Sequence, residues 1–178
     1  MLLKNEIIIN ILLIMTLILN RRTLIYLQRY NNGKILTKLP NIDIFVYYGH
    51  LSLICLLNNN NPNVKCTVNA MNWASQYGYL NIVQWLHTHR SEGCTNWAMN
   101  WASRYGHLDV VKFLHFNRTE GCTSLAINYA SKNGHTKIVN FLHFNRNEGC
   151  TKYAIDLASK NSHHEIVNFL KQHYPQFA

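Results

Sequence analysis

Acidic residues are scarce in this sequence, and their scarcity excludes several classes of enzyme. The 178 residues include eight Asp and Glu in total, and the only aspartates are Asp43, Asp109 and Asp156. Paired carboxylates, a glycine-rich phosphate loop and a Ser-His-Asp pattern in a strand–turn–helix context are all missing, so acid–base and nucleophilic catalysis lack their usual groups. We therefore expect no enzymatic activity, no catalytic residue and no cofactor.

The N-terminal part of the sequence has neither an apolar run long enough for a membrane span nor the small residues of a signal cleavage site. Residues 7–19 are almost wholly apolar, but a membrane-spanning helix needs about 20 such residues. Neither Ala nor Gly occurs before Gly33, whereas a secretory signal ends in a small-residue cleavage site. We interpret residues 7–19 as a buried helix that caps the fold. A membrane anchor and a remnant of another N-terminal module are the alternatives.

Basic residues are more common, and the net charge is +9. Residues 1–65 carry seven Lys and Arg against two acids, whereas residues 66–178 carry ten against six. The longer part of the chain is therefore only mildly basic. A nucleic-acid-binding module gathers Lys and Arg on one face, so we expect no nucleic-acid partner.

A unit of 28 residues recurs four times from Cys66 onward. Each copy opens with Cys-Thr, and an Ala-Ser pair, a Val and a Leu recur in step, as at Ala102, Val111 and Leu114. Units of this length cannot bury an apolar face alone and must stack on their neighbours. The boundaries assigned are 1–38 for the apolar segment and linker, 39–65 for a degenerate first repeat, 66–93, 94–121 and 122–149 for full repeats, and 150–178 for a C-terminal capping repeat.

Each full repeat is predicted to form two helices. Thr95 suits the N-cap of the first helix, and Gly106 suits its end, where a left-handed residue is favoured. A second amphipathic helix follows, and the fold class is an all-α solenoid with an N-terminal capping helix. The tryptophans occupy phases where other repeats carry Tyr, Phe or Leu, which indicates core packing for Trp73, Trp85, Trp97 and Trp101.

The run A-S-x-x-G-H-x-x-V-V-x-F-L, from Ala102 to Leu114, resembles the central part of an ankyrin repeat. The resemblance covers about residues 42–174, with a unit of 28 residues instead of ~33. Cys-Thr-x-x-Ala stands in place of Thr-Pro-Leu-His, and we expect the projecting β-hairpin to shrink to a tight loop. The unit is similar to the divergent ankyrin proteins that large DNA viruses of amoebae (mimivirus-like) carry in many copies.

This resemblance implies a monomeric, non-enzymatic scaffold that binds a protein partner, with a host protein among the candidates. Ankyrin arrays bind proteins with the first helices and the loops, and we predict an outward polar stripe along the first helices. The residues predicted to bind are Asn72, Gln76, Asn100, Arg104, Asn128, Lys132, Asp156 and Lys160. The expected location is the cytoplasm, of the host if the protein is viral. The alternative is a membrane-tethered ankyrin protein anchored by residues 7–19.

Histidine and cysteine recur together, which raises the question of a metal site. His87, His115 and His143 each precede a cysteine by seven residues. Zinc takes four converging ligands and each repeat offers two, so we expect no metal. We interpret these histidines as packed at the end of the second helix, with their ring nitrogens bonded to the backbone of the next loop. By resemblance, His107 and its counterparts hydrogen-bond between adjacent turns. The cysteines are predicted to be free thiols in a reducing compartment.

Arg and Glu also recur two residues apart in the loops, as at Arg118 and Glu120. Alternate residues of a tight turn can pair, within a repeat or with its neighbour. An exposed pair contributes roughly 0–1 kcal/mol to the free energy of unfolding, so we expect these pairs to fix the geometry of the loops. A contribution to partner binding is the alternative.

Overall fold

The computed structural model describes residues 41–177, and within them the chain folds into a row of helix pairs. Between residues 41 and 177 there are ten α-helices, one final 3₁₀ turn at Pro175–Phe177 and no strand. The helices are α1 Ile42–Tyr47, α2 Leu51–Asn60, α3 Val68–Gln76, α4 Leu80–His89, α5 Asn96–Tyr105, α6 Leu108–Asn117, α7 Leu125–Lys132, α8 Thr136–Asn145, α9 Lys152–Lys160 and α10 His164–His173.

This architecture confirms the predicted all-helical, ankyrin-type solenoid. Residues 42–60 form a helix pair, as expected of an imperfect first repeat. The loops between pairs carry no strand in the part of the chain that the structure describes. This agrees with the expectation that a tight loop replaces the projecting β-hairpin. The apolar segment 7–19 lies outside the described residues. The predictions of a capping helix and of a membrane anchor both concern that segment.

The first helices of successive pairs form the main packing surface of the array. Helices α1, α3, α5, α7 and α9 each pack against the next in that series, whereas the second helices touch one another less. Fully buried alanines such as Ala98 and Ala102 allow this close approach. The second helices complete the core with branched side chains such as Val111 and Leu114.

The ends of the first helices follow the local signals in the sequence. The Thr67 and Thr95 hydroxyls accept hydrogen bonds from the backbone N–H groups of Asn69 and Trp97, at 3.1 and 3.3 Å. Gly106 ends α5 in a left-handed conformation with φ of 86°. A Cβ atom there would lie 2.8 Å from the ring of His135 in the next pair. Glycine is therefore required both by the backbone conformation and by the close approach of the next pair.

None of the helices between residues 41 and 177 is both long enough and apolar enough to cross a membrane.

Candidate functional site

Three of the predicted partner-binding residues lie inside the array. Asn72, Asn100 and Asn128 are buried, and Asn100 is only 1% exposed. The Asn100 side chain accepts a hydrogen bond from the backbone N–H of Thr123 at 3.0 Å and donates one to its hydroxyl at 3.1 Å. The prediction that these three asparagines face outward is therefore wrong. An amide that both donates and accepts is satisfied by the next threonine, so its polarity does not indicate exposure.

The same clamp repeats along the array and changes its chemistry at both described ends. Asn72 and Asn128 bind Thr95 and Thr151 as Asn100 binds Thr123. In the first pair Asp43 takes this position and accepts from the Thr67 backbone and hydroxyl at 2.9 and 2.6 Å. In the last pair the position is Asp156, which is exposed and pairs with Lys152 at 3.1 Å. The Asn position is thus a joint between pairs, and only Asp156 remains accessible.

A different set of first-helix positions reaches the surface. Residues at the second, sixth, ninth and tenth positions after each threonine share one side of the helix because they are three or four residues apart. We call this surface the aromatic–basic face. Of the residues at these positions, all exposed or half-buried, we assign to it Trp73, Gln76, Trp97, Trp101, Arg104, Tyr105, Tyr129, Lys132 and Lys160.

The tryptophans contradict the simple prediction of core packing. Trp97 is 40% exposed, and Trp73, Trp85 and Trp101 are half-buried. On α5 the rings of Trp97 and Trp101 lie 5.4 Å apart, and Tyr105 follows on the same side. These rings are therefore partly covered by the helix row and partly accessible to solvent, as amphipathic aromatic residues are at interfaces. The equivalent positions of other repeats carry Tyr or Leu. We interpreted that exchange as a sign of core packing, but it is equally consistent with half-buried rings.

Arg104 is a cation of the aromatic–basic face whose guanidinium contacts two tyrosine rings. Its guanidinium lies 5.5 Å from the ring centre of Tyr105 and 5.1 Å from that of Tyr129 in the next pair. Its backbone carbonyl accepts from His135 Nε2 at 3.1 Å and from the Asn133 side chain at 2.8 Å. Both the backbone and the side chain of Arg104 are therefore held by the neighbouring pair.

The same backbone contact occurs at the equivalent positions. The carbonyls of Gln76 and Lys132 accept from His107 and His163 of the next pair, at 3.0 and 3.2 Å. These contacts confirm that the turn histidines bond between adjacent turns. Because each of their carbonyls makes the same contact, Gln76, Arg104 and Lys132 occupy equivalent places at the C-terminal ends of α3, α5 and α7.

Charge on the aromatic–basic face is almost entirely positive. Among residues 41–177, Arg104, Lys132 and Lys160 form no ion pair. The loop glutamates are already neutralised, because Glu92, Glu120 and Glu148 each pair with the arginine two residues earlier. Asp156 is the one carboxylate on the first helices that reaches the surface, and it is paired with Lys152.

The loop pairs confirm the expectation that they fix geometry, and they do so between repeats. Arg118 Nε donates to Glu120 at 3.2 Å, and Glu120 accepts from the backbone N–H of Cys94 in the preceding loop at 3.3 Å. Although partial burial opposes it, bonding to Arg118 and to backbone N–H groups lowers the pKa of Glu120 to about 2. Arg90 similarly donates to the carbonyls of Pro62 and Val64.

The five cysteines are free, as predicted, and their environment makes them poor nucleophiles. Burial, followed by the nearby Glu120 carboxylate, raises the pKa of the Cys94 thiol to about 12. Burial likewise raises the pKa of Cys150 to about 11. A thiol with such a pKa is protonated at neutral pH and does not bind metals or attack substrates readily.

The histidines at the ends of the second helices contact aromatic rings of the next pair edge-to-face. The rings of His87, His115 and His143 meet the edges or faces of Phe113, Phe141 and Phe169 at centroid distances of 5.2–5.5 Å. Their predicted bonds to the backbone of the next loop are not seen. His143 Nδ1 instead bonds the Tyr174 hydroxyl at 2.9 Å. Within residues 41–177 no three His, Cys, Asp or Glu side chains gather closely enough to hold a metal ion.

Comparison with known proteins agrees with this geometry. Residues 42–124 match the family model described as ankyrin repeats in three copies. No curated protein matches the chain. The matched stretch runs from α1 to Ser124, the residue before α7. Beyond it, the clamp between Asn128 and Thr151 and the bond of His163 to the preceding turn repeat the contacts found within it.

Proposed function

We propose that the protein is a non-enzymatic scaffold that binds a protein partner through the aromatic–basic face. Ankyrin repeats are generally interaction modules without catalytic activity, and the match to residues 42–124 supports this class. The observation that carries the proposal is the exposed Trp97 beside Trp101 and Arg104, because Trp, Tyr and Arg are the residues that contribute most to binding at protein interfaces.

The proposed surface keeps four of the predicted binding residues and adds the aromatic ones. Gln76, Arg104, Lys132 and Lys160 stay in it, whereas the three buried asparagines are removed and Asp156, which pairs with Lys152, lies outside it. Residues that vary among the repeats make this surface specific, because the repeated framework is already engaged in bonds between pairs. We further propose a reducing compartment such as the cytoplasm, which the five free thiols favour.

The test compares two aromatic surfaces of one protein. The double variant Trp97→Ala/Arg104→Ala alters the aromatic–basic face. Its matched control is Phe116→Ala/Phe144→Ala on α6 and α8, where the two rings are 71% and 70% exposed. The full chain and both variants are tagged and used for affinity capture with quantitative mass spectrometry, after thermal unfolding has shown that each is folded.

We expect proteins captured by the unaltered chain to be lost from the first variant and retained by the control. The loss should exceed about tenfold, since truncating a central Trp or Arg commonly costs more than 1–2 kcal/mol of binding free energy. Equal capture by both variants would contradict the proposed face. Loss in the control alone would move the interface to the second helices.

A further inference from the structure

We propose that the partner segment bound by the aromatic–basic face is an extended acidic peptide with a carboxylate at every third residue. This inference rests on the proposed function and adds the chemistry of the partner. It is carried by the spacing of three cations, by the lack of any ion pair at these cations among residues 41–177, and by the position of the tryptophans.

The cations form a row with one member per helix pair. Arg104, Lys132 and Lys160 occupy the same position of α5, α7 and α9, each 28 residues from the next. Adjacent helices pack about 8–10 Å apart, so the cations recur at about that distance. Three residues of a polyproline II chain span about 9 Å, and every third side chain points to the same side because this helix has three residues per turn. A peptide that crosses the helices would therefore bring every third side chain to a cation.

Arg104 is prepared to bind the first of these carboxylates. The tyrosine rings of Tyr105 and Tyr129 flank its guanidinium, at 5.5 and 5.1 Å, and limit its rotamers. A guanidinium held in place binds a carboxylate through two parallel hydrogen bonds and loses less side-chain entropy than a mobile one. Among the described residues no carboxylate pairs with Arg104.

The apolar part of the partner is placed by Trp97 and Trp101. These rings lie on α5, at the end of the cation row that begins with Arg104. On α3 the position equivalent to Arg104 is the uncharged Gln76, and Trp73 lies beside it. We therefore expect the segment to have an apolar or aromatic end over α3 and α5, followed by acidic residues over α5, α7 and α9.

A single-stranded nucleic acid would use a similar combination of aromatic and basic residues, but this face suits it less. Such ligands follow grooves whose cations track a phosphate at every nucleotide, with bases stacked on exposed rings. Here one cation occurs per helix pair, and the Trp97 and Trp101 rings pack against each other at an interplanar angle of 35°. The acidic peptide is the occupant favoured by these contacts.

The experiment is selection of random 12-residue peptides on the full chain, with three variants in parallel. The first is Arg104→Glu/Lys132→Glu/Lys160→Glu. Its matched control is Lys112→Glu/Lys137→Glu/Lys171→Glu, which changes the net charge equally but on exposed positions of α6, α8 and α10. The third is Trp97→Ala/Trp101→Ala. The best peptides are then synthesised and titrated by fluorescence anisotropy, with a 12-nucleotide oligothymidine as the second ligand.

We expect the selected peptides to carry acidic residues three apart beside an apolar residue. Their affinity should fall at least about tenfold in the first variant and less than about threefold in the control. The first variant should instead select peptides with basic residues at the same spacing. Tighter binding of oligothymidine than of any peptide would overturn the inference in favour of a nucleic acid.

Two other outcomes separate this inference from the proposed function. Selected peptides without acidic residues, whose binding is lost in Trp97→Ala/Trp101→Ala, would refute the acidic partner and keep the aromatic–basic face as the binding site. Peptides that bind Trp97→Ala/Trp101→Ala as tightly as the unaltered chain would count against both the acidic partner and the aromatic–basic face. So would a selection in which the unaltered chain enriches no peptide relative to this variant.

Discussion

Asn100 and Asp156 occupy the same position in an internal helix pair and in the last pair, and their surroundings are opposite. Asn100 is buried and clamps Thr123 of the next pair through its amide. Asp156 is exposed and pairs with Lys152 on its own helix. No further helix pair stacks on α9 and α10 within residues 41–177. The position that bonds to the next pair in the interior of the array is therefore exposed to solvent in the last pair.

Other positions of the last pair differ in the same direction. Gly106 and Gly134 become Ser162, and the loop arginine of Arg118 and Arg146 becomes Tyr174. Ser131 is fully buried, whereas its counterpart Ser159 is exposed. In a stacked array the same repeat position is therefore structural or solvent-exposed according to whether a neighbour covers it.

The largest expected effect tests the clamp itself. Asn100→Ala should lower the free energy of unfolding by about 2–3 kcal/mol, because it leaves the backbone N–H and hydroxyl of Thr123 without their partner in a part-buried joint. Asp156→Ala should change it by less than about 0.5 kcal/mol, since an exposed i,i+4 pair contributes little. Urea unfolding followed by circular dichroism measures both. Similar losses in the two variants would show that the clamp is not what distinguishes the pairs.

The next largest effect concerns the turn after the first helix, where substitutions at Gly106 and at Ser162 should change the free energy of unfolding in opposite directions. Gly106→Ala should destabilise the protein by about 1–3 kcal/mol, because its φ is 86° and a Cβ would meet the His135 ring at 2.8 Å. Ser162→Gly should instead stabilise it by a few tenths to about 1 kcal/mol, since Ser162 holds a φ of 61° without glycine. The midpoints of thermal unfolding are the measurement. A destabilising Ser162→Gly would show that the serine side chain contributes contacts there.

Much of the fold was predictable because its signals are local and repeat in register. The threonine caps and the left-handed Gly106 follow from residue type and spacing, and the bonding of His107 to the preceding turn was expected from the resemblance to ankyrin repeats. Each such feature depends on contacts within one pair or on a neighbour with the same sequence. Repetition thus supplied information that a single helix pair would not have given.

The candidate site was predicted only in part, because polarity was taken as evidence of exposure. Asparagine recurs unchanged at 72, 100 and 128, and this constancy was the signal that it belongs to the framework. The second position after the threonine varies from Asn69 to Trp97, Leu125 and Tyr153, which is the pattern of a binding surface. Whether a half-buried ring belongs to the core or to the surface depends on how closely the helices pack, and helical spacing alone does not give that distance.

The smallest expected effect concerns the turn histidines, which again differ between internal and last pairs. Burial is the main cause that lowers the pKa of His135, with smaller contributions from the charges of His107 and His163, although the bond to the Arg104 carbonyl opposes them. The neutral form is therefore favoured in the folded state. Stability from this residue is present above the unfolded value of about 6.5 and declines as the pH falls through the lower folded pKa.

We expect the free energy of unfolding to decrease between pH 7.5 and 5, and His135→Gln to reduce that decrease while retaining a donor to the Arg104 carbonyl. The matched variant is His163→Gln, which changes the equivalent residue of the last pair, where the bond to the Lys132 carbonyl lies in exposed surroundings. Urea unfolding at four pH values compares the slopes directly. Equal slopes for His135→Gln and the unaltered chain would assign the pH dependence to other groups, of which His143 is the first to test because burial, followed by the charge of His173, also lowers its pKa.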